Sequence, residues 1–400
     1  MILCFCILIS GCSKEQVIKE KKNMMKDLTS MSIEDVKKYA EENKLNLEIE
    51  EDYSNEPKDK ILKQSIEKDT ELKENDVLTI TTSKGRLSDE EYKEKKVNEL
   101  GTVPIMMYHG IHDKKDSETK YTGGNVDKDG YQRTAESFRR DLEFYYTSGY
   151  RMIRLDDYID GKIDVALGYS PIILTFDDGL ENNIKVTGVD EKGNIQIDPN
   201  SAVGILEEFK NKYKDYNVTA TFFVNGAIFN QKEYNEQILK WLIEHGYDVG
   251  NHSYSHADFT KISYDKSVQE IGSVYKILEA IIPGKYVSIV AMPFGSPYSK
   301  KHSNFNALLK GTYDGVNYET KSTLRVGWES NDSPFSSSFD PFFLKRIRAY
   351  DNNGKEFDIE QNFKILQNKR YISDGNVNNI VVPKENESKV NASNLKILAY

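Results

Sequence analysis

The run "PIILTFDDG" sets two adjacent carboxylates, Asp177 and Asp178, where an apolar, strand-like stretch stops. Like charges side by side resist each other's ionisation, so the pair calls for donors or a cation close by. A second strand end carries groups that fit a cation. "YDVGNHSYSH" presents His252 and His256 four residues apart, a spacing expected to set both imidazoles on one face of a helical turn. One carboxylate and two imidazoles form a facial triad that holds a divalent metal and leaves positions open for water and substrate. The chain has only six histidines, so abundance does not explain the spacing. The chemistry of such a group is hydrolytic: a divalent metal polarises a carbonyl and acidifies water, a carboxylate takes the proton, and a further donor shares the oxyanion charge.

Residue pattern predicts the elements that must position these groups. From Val103 onward, the apolar runs "VPIMMYH", "YRMIRL", "PIILTFDD", "TATFFVNG", "YDVGNH" and "VSIVAMPFG" alternate with amphipathic stretches such as "YDKSVQEIGSVYKILEAI". In that stretch Val268, Ile271, Val274, Tyr275 and Leu278 mark one helical face. This is the pattern of an α/β chain folded as a (β/α) barrel, in which chemistry sits on the loops that follow the strands. Both the carboxylate pair and the histidines fall there. The polar insertion "KVTGVDEKGNIQIDPNSAVG" reads as a β-hairpin on a loop.

The motifs "TFDDG", "NHSYSH", "MPFG" and, more loosely, "VGWESND", with an "ATFFV" strand, resemble those of the polysaccharide deacetylases, the carbohydrate esterase 4 group with the NodB homology domain. The resemblance implies a distorted (β/α) barrel, a metal held by Asp178, His252 and His256 with zinc as the expected ion, and Asp177 as the catalytic base. It also implies that the Phe294 N–H binds the oxyanion and that Trp328 walls the acetyl pocket. Three features depart from the commoner family pattern. No C-terminal LxH motif follows the last histidine, His302; the third motif carries Ala291 where an Arg often orients the catalytic Asp; and Leu180 replaces the Pro after "TFDDG". "VPIMMYHGI" resembles the opening of the circularly permuted branch that includes the poly-N-acetylglucosamine deacetylases, which makes His109 the expected general acid. His112, His245 and His302 read as structural. Arg325 in "STLRVGW" is the candidate to stand in for the missing Arg.

The rest of the chain bears on location. All three cysteines, Cys4, Cys6 and Cys12, fall in the opening "MILCFCILISGC", an apolar segment of signal-peptide length whose end resembles a lipoprotein lipobox. Residues 1–11 are then a signal peptide, Cys12 the lipidated terminus and residues 12–26 a charged tether. Residues 27–85 combine a helical spacing with three strand-like runs, a small α+β module that resembles a PASTA repeat and implies contact with peptidoglycan. Residues 86–101 read as a charged linker, 102–375 as the deacetylase-like domain and 376–400 as C-terminal strands or tail. A formal charge of −10 with mixed Lys and Glu argues against nucleic acid as partner. The expectation is an extracytoplasmic, membrane-anchored hydrolase removing N-acetyl groups from a glycan, with peptidoglycan GlcNAc first. Poly-β-1,6-N-acetylglucosamine, O-acetyl esters and an inactive wall-binding protein are the alternatives.

Overall fold

The structure is a computed structural model and describes residues 23–54, 56–392 and 394–400. The expected signal segment and Cys12 lie outside these residues. None of the described helices is long and apolar enough to cross a membrane. The chain divides into two units, one up to Leu87 and one from Ser88 to Tyr400.

In the first unit, helix Ile33–Glu42 starts at Ser32, whose side chain accepts the Asp35 N–H, and buries Val36, Tyr39 and Ala40. Three strands run in the order Asn46–Asp52, Val77–Ser83, Ile61–Gln64, parallel then antiparallel. Leu78 and Ile80 of the middle strand share one core with the helical face.

The second unit is built on an eight-stranded parallel sheet. Its path runs Ser322–Leu324, Ile289–Ala291, Asp248–Asn251, Thr221–Val224, Ser170–Phe176, Ile105–Tyr108 and Ile347–Arg348, with Tyr150–Met152 also paired to Ser170–Phe176. A parallel bridge between Leu324 and Leu344 joins the segments at the two edges, which curls the sheet toward a barrel. The strands are apolar on both faces because helices cover the outside and side chains fill the inside; Ser170–Phe176 is buried at every position. Helix Tyr264–Ile281, capped by Ser263, turns Ile271, Val274, Tyr275 and Leu278 inward. The insertion forms the expected hairpin, Val186–Val189 with Ile195–Ile197.

Most of the segment expected as a linker is part of the second unit. Helix Asp89–Lys95 opens with a reciprocal Ser88–Glu91 capping box, and Tyr92, Val97 and Glu99 are buried. The Glu99 carboxyl accepts the Tyr371 hydroxyl at 2.8 Å and the Val381 N–H at 2.7 Å, tying the start of the unit to its C-terminal strand. That strand, Asn379–Val382, pairs in parallel with Lys396–Ala399.

Candidate active site

Because the strands are parallel, their C-terminal ends open on one side, and His109, Asp177, Asp178, His252, His256 and Phe294 converge there. Asp177 follows strand Ser170–Phe176 and stays in register, its N–H donating to the Tyr108 carbonyl at 2.9 Å. At Asp178 the chain turns into the left-handed region, φ 73°. Successive carboxylates are thereby sent to different partners. Left-handed backbone is costly for a non-glycine residue, and it recurs here at Ser253, His256 and Phe294. Such clustering is characteristic of sites whose surroundings over-determine the backbone.

Asp178 Oδ1 lies 3.1 Å from His252 Nε2 and 3.3 Å from His256 Nε2. Among the described residues these three form the one group whose ligand atoms are close enough together to hold a metal. His252 Nδ1 is 2.8 Å from the Ala291 carbonyl, an acceptor, so Nδ1 carries the ring proton and Nε2 is the lone-pair nitrogen. That Nε2 is buried with no hydrogen-bond partner. A lone pair facing an anionic oxygen at this distance needs a cation or a proton between them. Consistently, burial pushes the His252 imidazole down, but Asp177 and Asp178 more than reverse this and leave it raised. The donor set, two imidazole nitrogens and one carboxylate oxygen, fits a divalent metal.

The histidines do not sit on a helical turn, contrary to the sequence expectation. Left-handed backbone at Ser253 and His256 breaks any helix, and the loop is held instead by Glu270, fully buried on helix Tyr264–Ile281. The Glu270 carboxylate accepts the Ser255 N–H at 2.7 Å and its hydroxyl at 2.8 Å, while its carbonyl accepts the Tyr254 N–H. The Ser253 N–H donates in addition to the Asn251 side-chain oxygen, 2.9 Å. Both imidazoles therefore reach one carboxylate through loop geometry that spacing alone does not encode.

Asp177 is paired with Arg346, and both are buried. Two parallel bonds, Nη1 to Oδ1 at 2.7 Å and Nη2 to Oδ2 at 2.6 Å, make a bidentate fork. Arg346 is itself oriented by the Arg325 carbonyl at 2.8 Å and the Thr175 hydroxyl at 3.2 Å. Burial pushes the Asp177 carboxyl up, yet the Arg346 guanidinium, followed by His252, holds it well below the ordinary carboxylate range. Arg325 does not take the duty expected of it: its guanidinium lies over the Phe343 ring, 4.7 Å from the centroid, and only its backbone serves Arg346. The sequence signal for Arg346 was the alternation of Arg346 and Arg348 within "FFLKRIRAY", two cations on one face of an apolar run.

A cavity of about 350 Å³ opens over these groups, lined by His109, Tyr131, Asp177, Asp178, His252 and Phe294 among others. His109 packs edge-on to Tyr131, 4.9 Å between ring centroids, and its Nδ1 is buried without a partner. Burial pushes its imidazole down against the upward pull of Asp177 and Asp178. Phe294 is 55% exposed and packs its ring edge-on to His256. The Gly295 and Ser296 N–H groups close their turn onto the carbonyls of Met292 and Pro293; the Phe294 N–H takes no part in those bonds. Trp328 is not in the cavity wall, where Val326 stands instead. It stacks on Phe357, 4.4 Å between centroids, with the Arg348 guanidinium 3.6 Å from its ring. The remaining histidines stand apart from the triad: His112 bonds Gln132, His245 stacks on Trp241 and His302 accepts the Asn304 N–H.

Comparison with known proteins bears on residues that include much of this site. Residues 165–310 match the family model for polysaccharide deacetylase, and residues 23–84 match that for the PASTA domain. The chain is 33% identical over 126 residues to the peptidoglycan-N-acetylmuramic acid deacetylase PdaC of Bacillus subtilis, covering 31% of this chain and 21% of that one. It is 31% identical over 110 residues to PdaA of the same organism, also named a peptidoglycan-N-acetylmuramic acid deacetylase, covering 26% and 33%. The matched segments thus span a third or less of these curated relatives. Among solved structures, the Streptococcus pyogenes deacetylase PplD in complex with acetate aligns with a TM-score of 0.45 at 19% identity, over 67% of this chain and 98% of that one. The chain carries a polysaccharide deacetylase domain and, earlier in the sequence, a PASTA domain.

Proposed function

We propose that the chain is a metal-dependent deacetylase that hydrolyses N-acetyl groups on a bacterial cell-wall glycan, with peptidoglycan as the substrate. The observation that carries this is the division of labour between adjacent carboxylates. Asp178 faces the Nε2 atoms of two imidazoles, while Asp177 is locked by Arg346 at the edge of the same cavity. Asp178, His252 and His256 would hold a divalent metal, zinc in this reading, which would supply polarisation of the scissile carbonyl and a more acidic water. Asp177, kept ionised by Arg346, accepts the proton of the attacking water. The Phe294 N–H, presented by a left-handed turn, stabilises charge on the acetyl oxygen, and Val326 with Met292 forms the apolar wall. His109 delivers a proton to the departing amine.

GlcNAc is the preferred sugar in this reading. N-acetylmuramic acid is the second, because PdaC and PdaA are named for it. The PASTA domain would keep the enzyme against its polymer. Lipidation at Cys12 would hold it outside the cell membrane, and Cys12→Ala should then release the protein from the membrane fraction. The deciding experiment measures acetate released by the zinc-loaded chain from peptidoglycan, poly-β-1,6-N-acetylglucosamine and O-acetylated xylan in parallel, with mass analysis of the deacetylated sugar. Release from peptidoglycan alone supports the proposal; release only from another polymer, or none, overturns it.

A further inference from the structure

Two residues beyond Arg346 stands a second buried guanidinium for which the proposed chemistry has no use. Arg348 belongs to strand Ile347–Arg348, which pairs with Ile105–Tyr108, the strand that His109 follows. Its side chain is buried, and its Nε has no partner. The guanidinium lies 4.5 Å from the centroid of the Tyr131 ring, 3.6 Å from that of Trp328 and 5.6 Å from that of Tyr350, and Nη1 donates to the Asp129 carbonyl. Burying a cation among rings with one nitrogen unsatisfied is costly, and an aliphatic side chain would fill the same space without that cost.

What this cation holds is the turn that carries Tyr131. The Asp127 carboxylate accepts the N–H groups of Asp129 at 2.9 Å, Tyr131 at 3.2 Å and Gln132 at 2.6 Å, which closes the turn on itself. Gly130, at φ 65°, sits close against Tyr350: a Cβ there would come 2.2 Å from the ring's Cδ2, which leaves no room for a side chain. Arg348 fixes the closed turn at two points, the Asp129 carbonyl and the Tyr131 ring. Tyr131 in turn packs edge-on to His109 in the cavity wall, 4.9 Å between ring centroids. That contact matters because His109 Nδ1 is buried without a partner, so no hydrogen bond on that side sets the plane of the imidazole. A continuous stack therefore runs from His109 through Tyr131 and Arg348 to Trp328 and ends on Phe357.

We propose that Arg348 is a positioning residue for the proton donor: by clamping Tyr131 it holds the His109 imidazole in the orientation that serves the departing amine. The proposal rests on the reading of His109 as that donor. Arg346 and Arg348 then serve the two proton-transfer groups in turn, the first gripping Asp177 directly and the second steadying His109 through a ring. Arg348 is not among the residues lining the cavity, so its effect belongs in kcat rather than in KM. A reacting group displaced by about 1 Å can cost on the order of 10²-fold in rate, which makes so remote a residue measurable.

The test is a double-mutant cycle on the zinc-loaded full chain, with acetate release from an N-acetylglucosamine oligomer measured beside hydrolysis of an aryl acetate. Arg348→Met, which keeps bulk without charge, should lower kcat on the oligomer about tenfold or more, leave KM unchanged and slow the aryl ester far less. Arg348→Lys, which keeps a cation among the rings, should recover part of the loss. In the His109→Ala background, Arg348→Met should change either rate by less than about twofold, because the residue it acts through is gone. An unaltered kcat in Arg348→Met, or the same fold loss in both backgrounds, overturns the proposal. Equal losses on amide and ester in His109→Ala remove the proton-donor reading alone, and the coupling between the two residues then still decides whether Arg348 sets the ring. Histidine ring resonances give a readout without turnover, and serve with Arg348→Lys should Arg348→Met not fold or no acetate be released. With six histidines in the chain, the signal lost in His109→Ala identifies His109. Displacement of that signal with the His245 signal unmoved supports the clamp, and an unmoved His109 signal overturns it.

Discussion

Arg346 grips both oxygens of Asp177 from a position 169 residues further along the chain. The carboxylate proposed as the base is therefore held ionised and oriented by a residue far outside the motif that carries it. Removing one partner of a buried pair leaves the other uncompensated at a cost of about 3–5 kcal/mol.

Arg346→Met should accordingly lower the melting temperature and reduce turnover by about 10²-fold or more, the usual worth of a positioned base. Without the guanidinium, burial dominates and the Asp177 carboxyl titrates higher, so the acid limb of the pH–rate profile should move to higher pH. Arg346→Lys restores the charge but not the fork and should recover part of the loss. An unmoved acid limb in Arg346→Met would show that the pair does not control Asp177 ionisation.

The two carboxylates should separate cleanly in metal analysis. His252→Ala and Asp178→Ala should lose bound zinc and activity together, since each removes one of three protein ligands. Asp177→Asn should keep zinc and lose turnover, because an amide cannot take the proton. Elemental analysis after dialysis distinguishes the cases, and zinc loss in Asp177→Asn would reverse the roles.

For His109, the leaving group is the probe. His109→Ala should retain zinc and slow amide cleavage by about 10²- to 10⁴-fold. An aryl acetate expels a stable phenolate without a proton, so its hydrolysis should fall far less. Equal losses on both substrates would make the residue a wall of the cavity, held by Tyr131.

Asp374 supplies a pH dependence of stability. Burial raises its carboxyl from 3.8 to about 6, and Glu99 beside it is raised well above the usual range by burial and by Asp374 itself. The folded state thus favours the protonated form. The contribution is complete below the unfolded value, declines as pH rises through about 6, and is lost above it. Melting temperatures of the wild type should fall across this window, and those of Asp374→Asn, which keeps the polar contacts without the charge, should fall less. Parallel curves would show that Asp374 is ionised throughout.

Much of the second unit could be read from residue pattern, because buried parallel strands and amphipathic helices are periodic over short windows. The strands at Ile105–Tyr108, Thr221–Val224 and Asp248–Asn251 lie within the apolar runs that announced them, and Ser170–Phe176 begins one residue before its own. The metal-ligating types were equally local, since Asp178 and the two histidines each follow a strand within one or two short motifs. Other features needed the closed fold. That Arg346 rather than Arg325 reaches Asp177 depends on how the last strand, Ile347–Arg348, pairs beside Ile105–Tyr108. That Val326 rather than Trp328 meets the cavity goes with the place of the indole between Phe357 and the Arg348 guanidinium, which only the closed fold brings to it. That His252 and His256 meet at one oxygen depends on Glu270, fifteen residues past Ser255, bonding a loop the spacing suggested was helical. Periodicity reports which face of an element is apolar. Which distant polar groups share that interior is set only when the sheet curls, because desolvation forces each buried charge to find whatever partner the closed barrel brings within reach.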